Sequence, residues 1–203
     1  MVNKLRIGVI GIQGAISEHI YMMKKTLEKE KTPGEVFVVK QTSDLNDINA
    51  LILPGGESTT ISKFLHKTGL YEKIYSLIKE DNLPVMGTCA GCILLAREIS
   101  DASNDVKLLK VMDMKVKRNA FGRQRESFEK VIKINGFSNP YNAVFIRAPI
   151  IEKTWGGCKD IARIDGKIVM ARQGNILALS FHPELTEDLR IHKFFVELVF
   201  NES

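Results

Sequence analysis

The sequence predicts an α/β fold of three layers: a mostly parallel central sheet, helices on both faces, and a smaller antiparallel strand portion. Three observations carry this expectation. In the first half, short apolar runs alternate with helix-length amphipathic stretches, the pattern of a parallel sheet covered on both sides. Several of those runs stop abruptly in glycine-rich segments, where open α/β sheets place their ligands. In the second half, strand-like runs succeed one another across short turns, as antiparallel strands do.

The elements follow in order. Leu5 to Ile10 reads as a strand ending in Gly11-Ile12-Gln13-Gly14, and Ala15 to Lys29 as a helix. Val36 to Val39 and Ala50 to Leu53 are strands, the latter ending at Pro54-Gly55-Gly56. Helical periodicity covers Thr59 to His66 and Tyr71 to Lys79; Pro84 to Met86 is the next strand, and Ala90 to Ile99 the next helix. Strand patterns then cover Met112 to Lys117, Phe128 to Ile134, Ala143 to Arg147, Ile161 to Ile164, Lys167 to Ala171 and Ile176 to Phe181. Asp165-Gly166 and Gln173-Gly174-Asn175 supply hairpin turns, and Asp188 to Phe200 a closing helix. No repeat or linker divides the chain, so residues 1–203 are expected to form a single domain.

Composition narrows the function classes. With 44% hydrophobic and 26% charged residues the chain is neither disordered nor fibrous. The net charge of +5 is spread over helix faces without interleaved aromatic residues, which argues against nucleic acid. No stretch reads as a signal peptide or a membrane span, and three cysteines do not make a disulfide framework, so a cytoplasmic protein is expected.

Gly87-Thr88-Cys89-Ala90-Gly91 carries the chemistry. It has the form of a nucleophile elbow, a tight strand-to-helix turn that lifts a reactive side chain above the sheet. Glycines on both flanks avoid Cβ clashes in such a turn, and the following helix points its N-terminus at the sulfur. Cys92 completes a C-x-x-C spacing, but no second ligand pair supports zinc. It reads as a core position of the helix, with a redox pair as the lesser alternative.

His182 and Glu184 flank Pro183 after an apolar strand. In an extended segment they point the same way, so the carboxylate can orient the imidazole and leave its other nitrogen for Cys89. Proline is expected to hold that extended geometry and block a helix. His19, His66 and His192 fall in helical patterns and read as solvated or satisfied. Pro54-Gly55-Gly56-Glu57-Ser58 offers free backbone N–H groups for an oxyanion; it also suits a turn in which Ser58 or Thr59 caps the next helix. The strand ends at Gly11 to Gly14, Pro54 to Glu57, Gly87 to Gly91 and Phe181 to Glu184 should converge on one rim.

The GTCAG, PGGES and FHPE segments, in this arrangement, resemble a class I glutamine amidotransferase domain. Gly11 to Gly14, Leu53 to Thr60, Arg118-Asn119-Ala120-Phe121-Gly122-Arg123-Gln124, Phe145-Ile146-Arg147-Ala148-Pro149 and Ser180 to Thr186 are similar to one subfamily, the glutaminase subunit of pyridoxal 5′-phosphate synthase (PdxT type). The resemblance spans essentially the whole chain. It implies a Cys89–His182–Glu184 triad acting on L-glutamine, with Gly56, Glu57 and Ser58 contacting substrate. It also implies an oxyanion hole from Gly56 and Ala90, and an amino-acid end held by Arg118, Ile146 and Arg147. A guanidinium fork suits an α-carboxylate. By the same resemblance the reaction needs no metal or organic cofactor, and ammonia passes to a (β/α)₈-barrel synthase subunit in a large hetero-oligomer. An imidazole glycerol phosphate synthase type glutaminase is the alternative; it would keep the triad and lack the arginine motifs.

Overall fold

The computed structural model describes residues 4–100, 105–118, 120 and 127–200. The chain begins with β1 (Leu5–Ile10), α1 (Ile16–Lys29), β2 (Gly34–Val39) and β3 (Ala50–Leu53). Helices α2 (Ser58–Lys67) and α3 (Leu70–Glu80) lead to β4 (Val85–Thr88) and the short α4 (Ala90–Leu95). The second half runs β5 (Ala96–Ile99), β6 (Met112–Lys117), β7 (Ser127–Ile132), β8 (Tyr141–Ile146) and β9 (Ile150–Thr154). It closes with β10 (Lys159–Ile164), β11 (Lys167–Gln173), β12 (Ile176–Leu179) and α5 (Arg190–Phe200).

Nine strands of the main sheet lie in the order β2-β1-β3-β4-β12-β11-β9-β6-β5, with β10 paired to β11; β7 and β8 form a separate antiparallel ribbon. The pairs from β2 to β12 are parallel, whereas β12–β11, β11–β9 and β9–β6 are antiparallel. The three-layer expectation therefore holds.

Side-chain alternation builds the layers. From β3, Leu51 and Leu53 pack into one core with Ile61 and Leu65 of α2 and Ile74 of α3; Ala50 and Ile52 pack into the other with Met23 of α1 and Phe195 of α5. Period-two strands between period-3.6 helices give this division directly. All four residues of β3, β4 and β12 are buried, as central parallel strands require.

The expected helix Ala90 to Ile99 is corrected. It ends at Leu95, and Ala96–Ile99 is strand β5, parallel to β6. The apolar run Ile93-Leu94-Leu95-Ala96 suits either state. The decision comes from a distant segment: the Leu109 and Val111 N–H groups take the Leu94 and Leu95 carbonyls at 2.7 and 3.2 Å. Strand β9 was missing from the sequence reading, because Ile-Ile-Glu-Lys-Thr shows its pattern only once β6 and β11 flank it. The expected hairpin turns are present: Asp165 and Gly166 have φ of 47° and 79°, and Gly174 has 58°.

Because β1, β3, β4 and β12 are neighbours and mutually parallel, their carboxyl ends share one edge. That edge carries the site.

Candidate active site

Cys89 sits between β4 and α4 with φ 48° and ψ −100°, a left-handed strained conformation for a residue with a Cβ. Both flanking glycines are sterically required. A Cβ on Gly91 would lie 2.1 Å from the Leu53 carbonyl oxygen, and one on Gly87 would lie 2.6 Å from the Gly91 carbonyl carbon. The Cys89 N–H donates to the Leu179 carbonyl at 2.8 Å, tying the elbow to β12. Its thiol lies 3.7 Å from the Ile146 carbonyl, a weak S–H···O contact.

The His182 N–H donates to the Val144 carbonyl at 2.8 Å, which fixes the segment against β8. His182 Nδ1 and Glu184 Oε1 are 2.6 Å apart, and both side chains are nearly fully buried. The expectation that Pro183 keeps this segment extended is corrected. Pro183 opens a single 3₁₀ turn, Pro183–Leu185, at a position where its missing N–H costs nothing. Pairing survives because His182 itself remains extended, at φ −108° and ψ 90°.

Electrostatics follow from this packing. Burial by itself would lower the His182 pKa. Hydrogen bonds with Cys89 and Glu184, and their charges, outweigh it and push the imidazole up to about 10. Burial likewise raises Glu184, but His19 and the His182 bond bring it below the usual carboxylate range. The pair is thus held as imidazolium and carboxylate near neutral pH.

The other rim segments pack against this pair. A Cβ on Gly55 would lie 2.5 Å from His182 Cε1 and 3.4 Å from Cys89 Cβ; one on Gly14, at φ 100°, would lie 1.9 Å from the Gly55 carbonyl oxygen. Gly56, at φ 141°, faces Gln13. Four strand ends meet here, as expected.

The helix cap is corrected too. Neither Ser58 nor Thr59 caps α2; Glu57 does, accepting from the Thr59 and Thr60 N–H groups at 3.2 and 2.8 Å. Side-chain hydrogen bonds from Thr59 and Thr60, with these backbone bonds, hold the Glu57 carboxyl down at about 2. Its carboxylate is therefore turned to its own helix, leaving the backbone of Gly56–Ser58 along the cleft.

A cleft of about 710 Å³ is lined by Gly56, Glu57, Ser58, Cys89, Arg118, Ile146, Arg147 and His182, together with Gln13 and Gly14. Glu184 stands behind His182, and Ala90 is buried at the start of α4. Arg147 is exposed, with φ 43°. Asn119, Phe121, Gly122, Arg123 and Gln124 of the arginine motif lie outside the described residues. Cys92 is fully buried and free, its thiol pushed up by burial, which fits a core position.

Sequence reasoning missed Ala15, Ile93 and Leu185 in the lining, and above all His19 behind it, outside the cleft. His19 is fully buried, with Nε2 3.1 Å from Thr88 Oγ1 and 3.3 Å from Glu184 Oε2. The signal was available: His19, Met22, Met23, Thr26 and Leu27 form the buried stripe of α1 at helical spacing. His192 is also fully buried, against the expectation of a solvated or satisfied residue, and neither of its nitrogens has a hydrogen-bond partner among the described residues.

A family model described as the SNO glutamine amidotransferase family matches residues 9–201. The chain belongs to this family. Among relatives of this SNO amidotransferase, the pyridoxal 5′-phosphate synthase subunit PdxT of Pyrococcus horikoshii is 48% identical over 196 residues, covering 96% of this chain and 100% of that protein. The PdxT subunit of Thermococcus onnurineus is 49% identical over 193 residues, covering 95% and 98%. A crystal structure of a glutamine amidotransferase superposes with a TM-score of 0.85 at 41% identity, over 95% of this chain and 98% of that one. Another, from Thermotoga maritima, shares the fold at 13% identity and a TM-score of 0.65, over 98% of each chain.

Proposed function

We propose that this chain is the glutaminase subunit of a pyridoxal 5′-phosphate synthase, acting as one domain that hydrolyses L-glutamine to L-glutamate and ammonia. The observation that carries the reading is the buried His182–Glu184 pair at 2.6 Å, packed with the strained Cys89 elbow about Gly55, in a chain with PdxT relatives at 48% identity. Those relatives favour it over the imidazole glycerol phosphate synthase type.

The Cys89 thiolate adds to the carboxamide carbon, forming a C–S bond and moving the carbonyl electrons onto oxygen. The Gly56 and Ala90 N–H groups receive that oxyanion. His182, protonated because its pKa is raised, gives its proton to the departing nitrogen, and ammonia leaves behind a γ-glutamyl thioester. The now neutral His182 takes a proton from water as the hydroxyl adds; collapse of this second adduct expels the Cys89 thiolate and glutamate. Glu184 keeps His182 oriented and charge-balanced throughout.

Arg118 and Arg147, with the Ile146 backbone, hold the α-carboxylate and amino end of glutamine, and Gly56, Glu57 and Ser58 line its side chain. Ammonia passes to a separate (β/α)₈-barrel synthase subunit within a large hetero-oligomer. Three free cysteines suit the reducing cytoplasm, and no helix among the described residues is long and apolar enough to cross a membrane.

Glutaminase activity is weak without the synthase subunit, whose docking orders the Gly55–Gly56 loop. The test mixes the chain with a synthase subunit and measures glutamate release and pyridoxal phosphate formation. Both should rise together. Equal glutamate release with and without the synthase overturns the activation, and absence of pyridoxal phosphate overturns the assignment.

A further inference from the structure

Behind the triad lies a buried polar cluster that the hydrolysis does not use: His19 of α1, Thr88 of β4 and His192 of α5, grouped about the far oxygen of Glu184. Glu184 Oε1 is occupied by His182. Its Oε2 is buried and has no well-aligned hydrogen-bond partner among the described residues, but His19 Nε2 lies 3.3 Å from it. The same nitrogen is 3.1 Å from Thr88 Oγ1, the side chain immediately before the nucleophile.

An ionised carboxylate only accepts hydrogen bonds, so a bare Nε2 would turn one lone pair toward another at Oε2. Only the tautomer with hydrogen on Nε2 presents a positive edge to both Glu184 and Thr88. Burial lowers the His19 pKa, and lowers that of His192 to about 3, so both rings are neutral at ordinary pH. A neutral His19 therefore acts through its N–H dipole and adds no full charge. The His192 ring lies 6.0 Å from that of His19, with no hydrogen-bond partner on either nitrogen among the described residues.

Resting on the glutaminase reading above, we infer that His19 is a positioning residue for the triad: its Nε2–H is shared between Glu184 Oε2 and Thr88 Oγ1, fixing the carboxylate plane and hence the ring of His182 relative to Cys89. The position in the fold makes this effective. His19 sits on the first turns of α1, whose preceding loop packs on Gly55, so one helix backs both the carboxylate and the oxyanion loop. His19 does not line the glutamine cleft, which separates its effect from substrate binding.

The groups facing His19 are Glu184 and His182 on the triad segment, Thr88 on β4, His192 on α5, and Glu18 on its own helix. Removing the Nε2–H leaves Oε2 unsupported, so Glu184 takes a proton at higher pH. The acid limb of turnover then moves to higher pH.

The test measures glutamine turnover by the full chain in complex with the synthase subunit across pH, and separately the rate of Cys89 alkylation by iodoacetamide. His19→Leu should lower kcat by about 10- to 100-fold, the range for outer partners that orient a working side chain, and leave KM within about twofold. The acid limb of its pH profile should move up and its alkylation slow. His19→Gln, whose amide reaches the Nε2 position, should restore kcat and the wild-type profile. His19→Leu with wild-type kcat and pH profile overturns the inference. If His19→Leu does not fold, His19→Gln is compared with His19→Asn, which is one methylene too short: Gln well above Asn supports the role, and equal activity overturns it. If the wild-type complex itself fails to hydrolyse glutamine, that failure belongs to the glutaminase reading, and alkylation of Cys89 in the same variants still decides the role of His19.

Discussion

The parallel and antiparallel parts of the sheet supply different kinds of residue to the same cleft. From the parallel part come Cys89, His182, Glu184 and the glycine loops, held where backbone meets backbone and a single Cβ has no room. From β6 in the antiparallel part, and from β8 of the separate antiparallel ribbon, come Arg118, Ile146 and Arg147, at or just past strand ends with Arg147 exposed to solvent. Two glycines illustrate the contrast. A Cβ on Gly91 would strike the Leu53 carbonyl at 2.1 Å, whereas one on Gly136, at φ 92°, meets nothing within 4 Å. In the proposed reading the parallel rim supplies the reacting groups, and the arginines supply long side chains suited to gripping a ligand.

If this division is right, substitutions in the two walls should fail in different ways. Cys89→Ala should abolish turnover, by about 10⁴-fold or more, while glutamine still binds, as expected when a nucleophile is removed. Gly55→Ala follows, since the added methyl would sit 2.5 Å from His182 Cε1. A displacement of the base of that order should cost about 100-fold in kcat, with a melting temperature near that of the wild type. Arg147→Ala should act the other way, raising KM for glutamine by about 10- to 100-fold with little change in kcat, because it removes binding common to ground and transition states. Arg147→Lys should rescue little, since an ammonium cannot make the bidentate contact. An Arg147→Ala enzyme that lost kcat and kept KM would break the comparison.

Two smaller effects sharpen it. The raised pKa of His182 means that the proton for departing ammonia is present below about 10 and lost as pH rises through that value. The alkaline limb of kcat should therefore fall near 10 and not near the ordinary imidazole value, provided ammonia release limits turnover; kcat measured across alkaline pH checks this. Cys92→Ala should change glutaminase activity least, while costing about 1 kcal/mol of stability through the small cavity it leaves in the core. Loss of activity in that variant would revive the redox reading of the C-x-x-C spacing.

The two parts also differed in how far they could be read in advance. Strand-then-glycine punctuation marked β1, β3 and β4, since a residue that must be glycine for steric reasons leaves its trace at one position. Strands β5 and β9 escaped because their apolar patterns are short and half polar, and only their neighbours in the sheet define them. The Glu57 cap escaped for a related reason: Ser58 and Thr59 are equally good caps by type, and the loop's entry angle chose between them.

The sequence by itself determined the alternation of elements, the nucleophile elbow, the His182–Glu184 pairing and the family resemblance, because each rests on residue types at short, fixed spacing. Only the tertiary structure decided that Pro183 starts a 3₁₀ turn, that Glu57 spends its carboxylate on its own helix, and that His19 lies against the far oxygen of Glu184. The physical reason is the same in each case. A buried polar group takes its role from whichever donor or acceptor the fold brings within reach, and for Glu184 that partner comes from a helix far away in the chain.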